Sequence, residues 1–395
     1  MKKRQNLLFN LILIPIFLFS MAGIGLAEVG VTDTTIKIGV IVDLAGPVAF
    51  MGKSVESGMK SLVSKINDGG GIHGRKIIPI FEDNSFSPPK HVAALKKIME
   101  RDKVFCFVGN LGTTTNSTTV MITEEAKIPV VAPIGAGTKM FKPPKRYMFC
   151  VYATQYYFGR TLVDFIANDL KGKDSRIGIL YQDDETGRDA LRGIEFQMKK
   201  YGMKLAAKEY HKRGALDLGI QVAKLKQAKC DIVISYPPMA SPTAMFLTEL
   251  GKIGWKPQVV IGPPPSDYKL IELAGKKNCE GVIASMCYPL LTENNAGVIE
   301  HKATMKKYNP KAKVSNYSFP GYISMKLAEV ALRKTGRNLT REGLINTLES
   351  LKNYDMGPFP VTFGPKERLG QKKSFFNRIR NGEFIKLTDW RAPKD

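Results

Sequence analysis

Three consecutive acidic residues, Asp183, Asp184 and Glu185, have the spacing that most resembles a general acid–base site. Paired carboxylates catalyse proton transfer when the fold holds them on opposite sides of a cleft. The same residues directly precede a segment with helical spacing, where acidic groups stabilise the helix dipole. The sequence leaves two interpretations open, an enzyme that uses these carboxylates and a helix with an acidic start.

Other signatures of catalysis or metal binding are absent from the sequence. It contains no Gly-x-Ser-x-Gly motif, no Walker A motif and no zinc-binding pattern. The four histidines, His73, His91, His211 and His301, lack the spacing of metal ligands. We therefore expect neither a metal site nor a cofactor.

A threonine-rich loop precedes one of the helical segments. Within Asn110–Asn116 it contains Leu111, Gly112, Thr113 and Thr114. Hydroxyls and free backbone amides at a helix N-terminus can hold a carboxylate. The alternative is that Thr113 or Thr114 only caps the helix.

A second loop, Pro133–Thr138, contains Gly135, Ala136 and Thr138. Glycines allow the backbone to approach a ligand closely. A dinucleotide site is excluded because the third glycine of that motif is missing. Ligand contact and a tight turn both remain open.

Both loops follow strand-like runs that alternate with helical patterns. One series begins at Ile36–Val42, and a second begins at Arg176–Tyr181 after a boundary near Tyr152. Short apolar strands alternating with helices predict parallel sheets covered on both faces, and two series predict two doubly wound α/β lobes. The predicted strands are Ile36–Val42, Ile77–Glu82, Val104–Gly109, Pro129–Ala132, Arg176–Tyr181, Lys204–Tyr210, Asp231–Tyr236, Val259–Ile261 and Gly281–Met286. A long amphipathic segment, Ser318–Lys334, and a tail of turns and short strands follow.

Ligands of open parallel sheets bind beyond the carboxyl ends of the strands. By this rule, two further parts of the chain are candidates for ligand contact. They are Tyr236, at the end of the predicted strand Asp231–Tyr236, and the loop Gly262–Asp267, which follows the predicted strand Val259–Ile261. Tyr157 lies near the boundary between the lobes, where it either packs the lobes together or forms a wall of the cleft.

The first 27 residues have the pattern of a signal peptide. Lys2, Lys3 and Arg4 precede an apolar run that ends in small residues at Ala27. A membrane anchor is the alternative interpretation, but no stop-transfer pattern follows. We expect cleavage after Ala27 and a periplasmic protein.

The net charge of +23 comes from lysines and arginines that are spread along the chain. Nucleic-acid binding requires a basic patch with stacking aromatics, so we expect no nucleic-acid partner. A solvated basic surface and attraction to anionic solutes or membranes both remain open. The five cysteines leave at least one thiol unpaired, and Cys106 and Cys230 lie in or beside apolar runs that predict burial.

Several segments resemble the type 1 periplasmic binding proteins of the leucine/isoleucine/valine-binding family. They are Ile38–Val40, Leu44–Gly52, Gly69–Ile77, Glu82–Asn84 and Ile128–Pro133. The resemblance implies two similar lobes joined by three crossings, with a solute bound in the cleft between them. It also implies a closed form that docks on an inner-membrane ABC permease.

By this resemblance, Gly112 and Thr113 match positions that hold the carboxylate of the ligand. Ile134, Gly135 and Ala136 match the next contact loop. The family's amino-acid binders usually have a hydroxyl where this chain has Ala136.

Two further positions depart from the family. Thr186 stands where the family has an aromatic residue. The family also has an acidic residue that binds the ammonium of the ligand, and its position falls near Pro264 in this chain. A buried ammonium without a carboxylate is costly. Either Asp184 or Asp267 replaces the missing acid, or the ligand has no ammonium.

We expect an extracytoplasmic solute-binding protein of an ABC transporter of the branched-chain amino acid type, with an amino acid or other carboxylate as its ligand. Alternatives are a sensing module with a separate signalling partner and a secreted hydrolase that uses Asp183, Asp184 or a free cysteine. The predicted lobes are 34–152 with 288–362, and 153–287 with 363–395. The predicted ligand-binding residues are Leu111, Gly112, Thr113, Thr114, Gly135, Ala136, Thr138, Tyr157, Asp184, Thr186, Tyr236, Pro264 and Asp267.

Overall fold

The computed structural model describes residues 28–395, so the predicted signal peptide, residues 1–27, lies outside the described residues. Among residues 28–395, no helix combines the length and the apolar composition that a membrane span requires. The described chain contains two large β-sheets, each with helices packed against it. This is the predicted α/β architecture with two doubly wound lobes.

The first sheet is parallel throughout and has the order β2-β1-β3-β4-β5. Its strands are β1 (Thr35–Val42), β2 (Lys76–Asp83), β3 (Cys106–Val108), β4 (Val130–Val131) and β5 (Met148–Phe149). The helices that follow β1, β2 and β3 are α1 (Ala49–Asp68), α2 (Pro88–Lys97) and α3 (Thr113–Glu125). The apolar side chains of β1, β3 and β4 are buried, as expected for strands covered on both faces.

The second sheet has the order β14-β13-β10-β9-β8-β6-β7, with five parallel strands and two antiparallel ones at one edge. Its strands are β6 (Ile177–Gln182), β7 (Leu205–His211), β8 (Ile232–Tyr236), β9 (Gln258–Ile261), β10 (Ile283–Met286), β13 (Phe375–Arg380) and β14 (Glu383–Lys386). Its helices are α4 (Gln155–Asn168), α5 (Glu185–Lys200), α6 (Gly219–Gln227), α7 (Ala240–Lys252), α8 (Tyr268–Ala274) and α9 (Lys276–Cys279).

The chain passes between the two sheets three times. It leaves the first sheet after β5, returns after β10, and enters the second sheet again at β13. The returning segment contains α10 (Ala296–Tyr308), α11 (Ser318–Thr335), α12 (Arg341–Ser350), β11 (Tyr354–Asp355) and β12 (Pro360–Val361). Three crossings are the predicted hinge arrangement.

Helices α1 and α11 pack closely because glycines face the neighbouring backbone. A β-carbon on Gly58 would lie 1.9 Å from the carbonyl oxygen of Ser318. One on Gly321 would lie 2.2 Å from the carbonyl oxygen of Val55. This contact fixes the returning segment to the first lobe.

The last crossing packs against the first sheet. Phe363 packs edge-on against Phe149 of β5, with ring centroids 5.5 Å apart. The amide of Cys150 donates to Arg368, and the amide of Gly370 donates to Cys150. Because this pairing extends the first sheet, we propose that the boundary between the lobes follows Gly370 rather than residue 362.

All five cysteines are buried and unpaired, which confirms the burial predicted for Cys106 and Cys230. Within the described part of the chain, no group of three His, Cys, Asp or Glu side chains is arranged to hold a metal ion.

Candidate ligand-binding site

A cleft lies between the two lobes, at the carboxyl edges of both sheets. Its volume is about 100 Å³. Loops that follow β3 and β4 form one side, and loops that follow β8 and β9 form the other. The lining residues are Met51, Phe86, Leu111, Gly112, Thr113, Ile134, Gly135, Tyr152, Gln155, Phe158, Thr186, Pro238, Pro263, Pro264, Cys287, Tyr288, Tyr317 and Pro320.

The N-terminus of α3 opens into this cleft. Gly112 has a φ of +109°, a backbone conformation that favours glycine, and α3 begins at the next residue. The first bond of the helix runs from the amide of Asn116 to the carbonyl of Gly112 at 2.9 Å. The amides of the residues between them have no intrahelical acceptor and point out of the helix end. They form an electropositive site that suits an anion.

Gly135 leaves room for Thr113. It has a φ of +98°. A β-carbon there would lie 2.8 Å from the backbone nitrogen of Thr113 and 2.9 Å from its hydroxyl oxygen. Only glycine therefore leaves both donors of Thr113 undisturbed.

A hydrogen-bond chain orients the Thr113 hydroxyl. Tyr236 donates its hydroxyl to Oε1 of Gln155 at 2.8 Å, and Gln155 donates Nε2 to Thr113 Oγ1 at 3.3 Å. Burial raises the pKa of Tyr236 well above its usual value, so the phenol stays protonated and acts as the donor. Because Thr113 accepts from Gln155, its own proton is available to a ligand.

The remaining walls of the cleft are mostly aromatic or apolar. Phe86, Tyr288 and Tyr317 lie on them together with the four lining prolines. Tyr152 is 5% exposed, and its hydroxyl has no hydrogen-bond partner among the described residues. Burial raises the pKa of Tyr152 and of Tyr288, so both phenols are neutral.

Several contacts join the lobes around the cleft. Arg213, after β7, donates to the carbonyl oxygen of Phe86, after β2, and its guanidinium lies 4.6 Å from the Phe86 ring centroid. Lys139 pairs with Glu185 at 3.0 Å. The hydroxyl of Tyr317 donates to the carbonyl oxygen of Pro264 at 3.3 Å. The structure is therefore the closed form of a two-lobed protein.

Comparison with known proteins identifies the family. The profile of a family described as periplasmic binding protein matches residues 35–383. The chain belongs to the periplasmic binding proteins of type 1. "Leu/Ile/Val-binding protein homolog 7" of Brucella suis is 23% identical over 323 residues, which are 78% of this chain and 79% of the relative.

Two solved structures have the same fold as this periplasmic binding protein. A fatty acid ABC transporter substrate-binding protein from Thermomonospora curvata has a TM-score of 0.84 at 23% identity, covering 92% of this chain and 94% of its own. A branched chain amino acid ABC transporter protein from Thermus thermophilus with bound valine has a TM-score of 0.82 at 17% identity, covering 93% and 97%. At these identities, the likeness establishes the fold.

The acidic loop of this binding protein caps a helix. Asp184 precedes α5 and accepts the amides of Thr186 at 3.0 Å and Gly187 at 3.2 Å. Asp183 is ion-paired with Arg188 at 2.7 Å on the surface. The two carboxylates lie side by side on one loop, and neither lines the cleft. The interpretation of these residues as an acidic helix start is confirmed. The arrangement that catalysis would require, with the two carboxylates on opposite sides of a cleft, is absent from this loop.

Asp267 also caps a helix. It is 5% exposed, and its Oδ1 accepts the amide of Lys269 at 2.7 Å at the start of α8. Burial raises its pKa from 3.8 to about 6. The carboxyl lies behind the cleft wall rather than on it.

We expect Asp267→Asn to stabilise the protein at pH 7. A raised pKa means that the fold favours the protonated carboxyl, so the wild type loses stability as the pH rises from about 4 to about 6. Asparagine stays neutral and keeps an oxygen for the amide of Lys269. The gain in unfolding free energy should be about 1–3 kcal/mol at pH 7 and should vanish near pH 4, measured by urea denaturation.

The exposed Asp33 provides the matched control for this charge change. Asp33→Asn is expected to alter stability little at either pH. An equal gain for Asp267→Asn at both pH values would show that burial of its charge is not the cause.

Of the thirteen predicted ligand-binding residues, six line the cleft. They are Leu111, Gly112, Thr113, Gly135, Thr186 and Pro264. Seven do not, namely Thr114, Ala136, Thr138, Tyr157, Asp184, Tyr236 and Asp267. Their role in binding stays a prediction, and Tyr236 acts on the cleft through Gln155.

Three of the outlying residues are engaged elsewhere. The amide of Thr138 donates to Asp189 at 3.0 Å, which turns Thr138 toward the second lobe. Tyr157 lies in a separate depression near the hinge, where the ammonium of Lys372 lies 5.5 Å from its ring centroid. Ala136 uses its carbonyl to accept the amide of Gln155 at 3.0 Å.

Sequence reasoning missed most of the cleft wall. Gln155, Tyr288 and Tyr317 lie in the crossings and before α11, outside the strand-end loops that drew attention. Phe86 does lie in such a loop, after β2. The rule about strand ends was sufficient to find Phe86, and it also applies to Tyr288, which follows β10. Gln155 begins α4, and Tyr317 depends on how the returning segment packs.

Proposed function

We propose that this protein is the extracytoplasmic solute-binding component of an ABC transporter of the branched-chain amino acid type. It traps a small carboxylate in the interlobe cleft and delivers it to an inner-membrane permease. Membership in the periplasmic binding proteins supports the transport role. The observation that carries the site is the open N-terminus of α3, which faces a cavity that residues of both lobes line.

The binding chemistry follows from the donors in the cleft. The first amides of α3 and the hydroxyl of Thr113 donate to the carboxylate. Gln155 leaves the Thr113 proton free for the ligand, because it occupies an acceptor position of that hydroxyl. The body of the ligand then lies against the aromatic and proline walls.

Closure couples this binding to transport. Contacts such as Arg213 with Phe86 form only when the lobes meet, so the ligand stabilises the closed form by bridging them. The permease recognises the closed form and receives the ligand when the lobes separate. The proposal assigns no acid–base step to the cleft, whose lining contains no carboxylate or histidine among the described residues.

We expect protein freed of ligand by unfolding and refolding to be stabilised by a carboxylate found in a broad panel. At 100 times its Kd, the ligand should raise the unfolding free energy by about 2.7 kcal/mol. Thr113→Ala should weaken that binding by about 1–3 kcal/mol, because it removes a donor to a charged group. Thermal shift and calorimetry measure both effects.

Thr118→Ala is the matched control, because it removes an exposed hydroxyl from the next turn of α3. It should leave the affinity unchanged. If no member of a wide panel stabilises ligand-free protein, the proposed function is wrong. If Thr113→Ala binds as the wild type does, Thr113 only begins the helix.

A further inference from the structure

We propose that the ligand is a monocarboxylate with an apolar or aromatic body and no ammonium group. This inference rests on the proposed function and names the class of solute that the same cleft accepts. It depends on the charges that face the cavity, on the carboxylates around it and on the composition of its walls.

No charged side chain lines the cavity among residues 28–395. The polar lining consists of hydroxyls and one amide, from Thr113, Gln155, Thr186 and the tyrosines. The helix end supplies positive polarity for one carboxylate. A ligand ammonium in the same cavity would lose part of its hydration and gain no anionic partner, which is costly.

The carboxylates considered as partners of a ligand ammonium are already engaged. Asp184 and Asp267 cap α5 and α8. Glu185 pairs with Lys139 at 3.0 Å and with Arg192 at 3.1 Å.

Asp189 is fully buried and also has partners for both of its carboxylate oxygens. Its Oδ2 accepts the amides of Thr138 and Tyr156, both at 3.0 Å, and its Oδ1 pairs with Arg192 at 2.7 Å. A ligand ammonium would have to break one of these arrangements to find a partner.

The walls favour an apolar body. Phe86, Tyr152, Tyr288 and Tyr317 present rings, and prolines from both lobes fill the gaps between them. The buried, unpartnered hydroxyl of Tyr152 is an independent sign that a ligand completes the site, since a buried donor without an acceptor is unfavourable. The volume of about 100 Å³ suits one ring or a short branched chain.

The test uses pairs of molecules that differ only in the ammonium group. They are 3-phenylpropanoate with phenylalanine, and 4-methylpentanoate with leucine. Calorimetry on ligand-free full-length protein should show that at least one acid binds about tenfold or more tightly than its amino acid. The neutral 3-phenylpropanamide should bind at least tenfold more weakly than its acid, because it lacks the negative charge that the helix end favours.

The outcomes separate this inference from the proposed function. If the amino acids bind as tightly as the acids or more tightly, the inference is overturned and the transport role stands. Asp267→Asn would then identify the partner of the ammonium by abolishing amino-acid binding. If neither of the two acids and neither of the two amino acids binds, the class of ligand is identified by mass spectrometry of molecules released from the native protein. A released amine overturns the inference, a released carboxylate without an amine supports it, and no retained or bound molecule overturns both proposals.

Discussion

Gly135→Ala is expected to reduce affinity for the ligand on the order of 100-fold while the protein still folds. The added β-carbon would lie 2.8 Å from the backbone nitrogen of Thr113 and 2.9 Å from its hydroxyl oxygen. These two atoms are the proposed donors to the carboxylate, and each such bond contributes about 1–3 kcal/mol. The methyl group either displaces both donors or takes the space of the ligand oxygen. Calorimetry measures the affinity, and circular dichroism verifies the fold.

Gly202→Ala separates this local effect from backbone strain. Gly202 has a φ of +68°, so alanine there also adopts an unfavourable conformation, at about 1–2 kcal/mol. Nothing lies within 4 Å of its added β-carbon. We expect a similar loss of stability in this variant and no change in affinity. If Gly135→Ala binds as Gly202→Ala does, the α3 end does not hold the ligand.

The architecture was predictable because the strands are short, apolar and regularly alternated with helices. Ile36–Val42 became β1 and Asp231–Tyr236 became β8, each within a residue of the predicted bounds. Strand β5 was not predicted, since two residues, Met148 and Phe149, carry no periodicity. Its position in the sheet depends on pairing with β4.

Helix α12 was missed although its signal was present. Thr340 accepts the amide of Gly343 as an N-cap, and Leu344, Ile345 and Leu348 face the core at helical spacing. The prediction of turns and short strands for the tail did not include this helical spacing.

Only those residues of the cleft that have a local sequence signature could be predicted. Thr113 and Gly135 follow from the rule about strand ends and from the backbone freedom that glycine provides. Gln155 acts through partners 42 and 81 residues away in sequence, Thr113 and Tyr236, and an isolated glutamine has no local signature. The acidic loop left two interpretations open, because a carboxylate that caps a helix and a catalytic carboxylate have the same local sequence.

Arg213→Ala is expected to weaken ligand binding about tenfold and to speed ligand release, although Arg213 does not line the cleft. Arg213 donates to the backbone carbonyl of Phe86 across the lobes and lies 4.6 Å from the centroid of its ring. A hydrogen bond from a charged donor and a cation–π contact together contribute about 2–4 kcal/mol when buried. The side chain is 34% exposed, so we expect roughly half of that. Since the contact exists only in the closed form, its loss favours the open form and lowers the fraction of molecules that can retain the ligand.

Arg188→Ala provides the matched control for this prediction. It removes the same charge from the same lobe, but Arg188 pairs with Asp183 on its own loop and makes no contact with the first lobe. Its affinity should equal that of the wild type. Small-angle scattering should show that ligand-free Arg213→Ala is more extended than the wild type, and that saturating ligand restores the closed dimensions. An equal loss of affinity in both variants would assign the effect to net charge, and unchanged affinity in Arg213→Ala would show that closure depends on the ligand and the hinge alone.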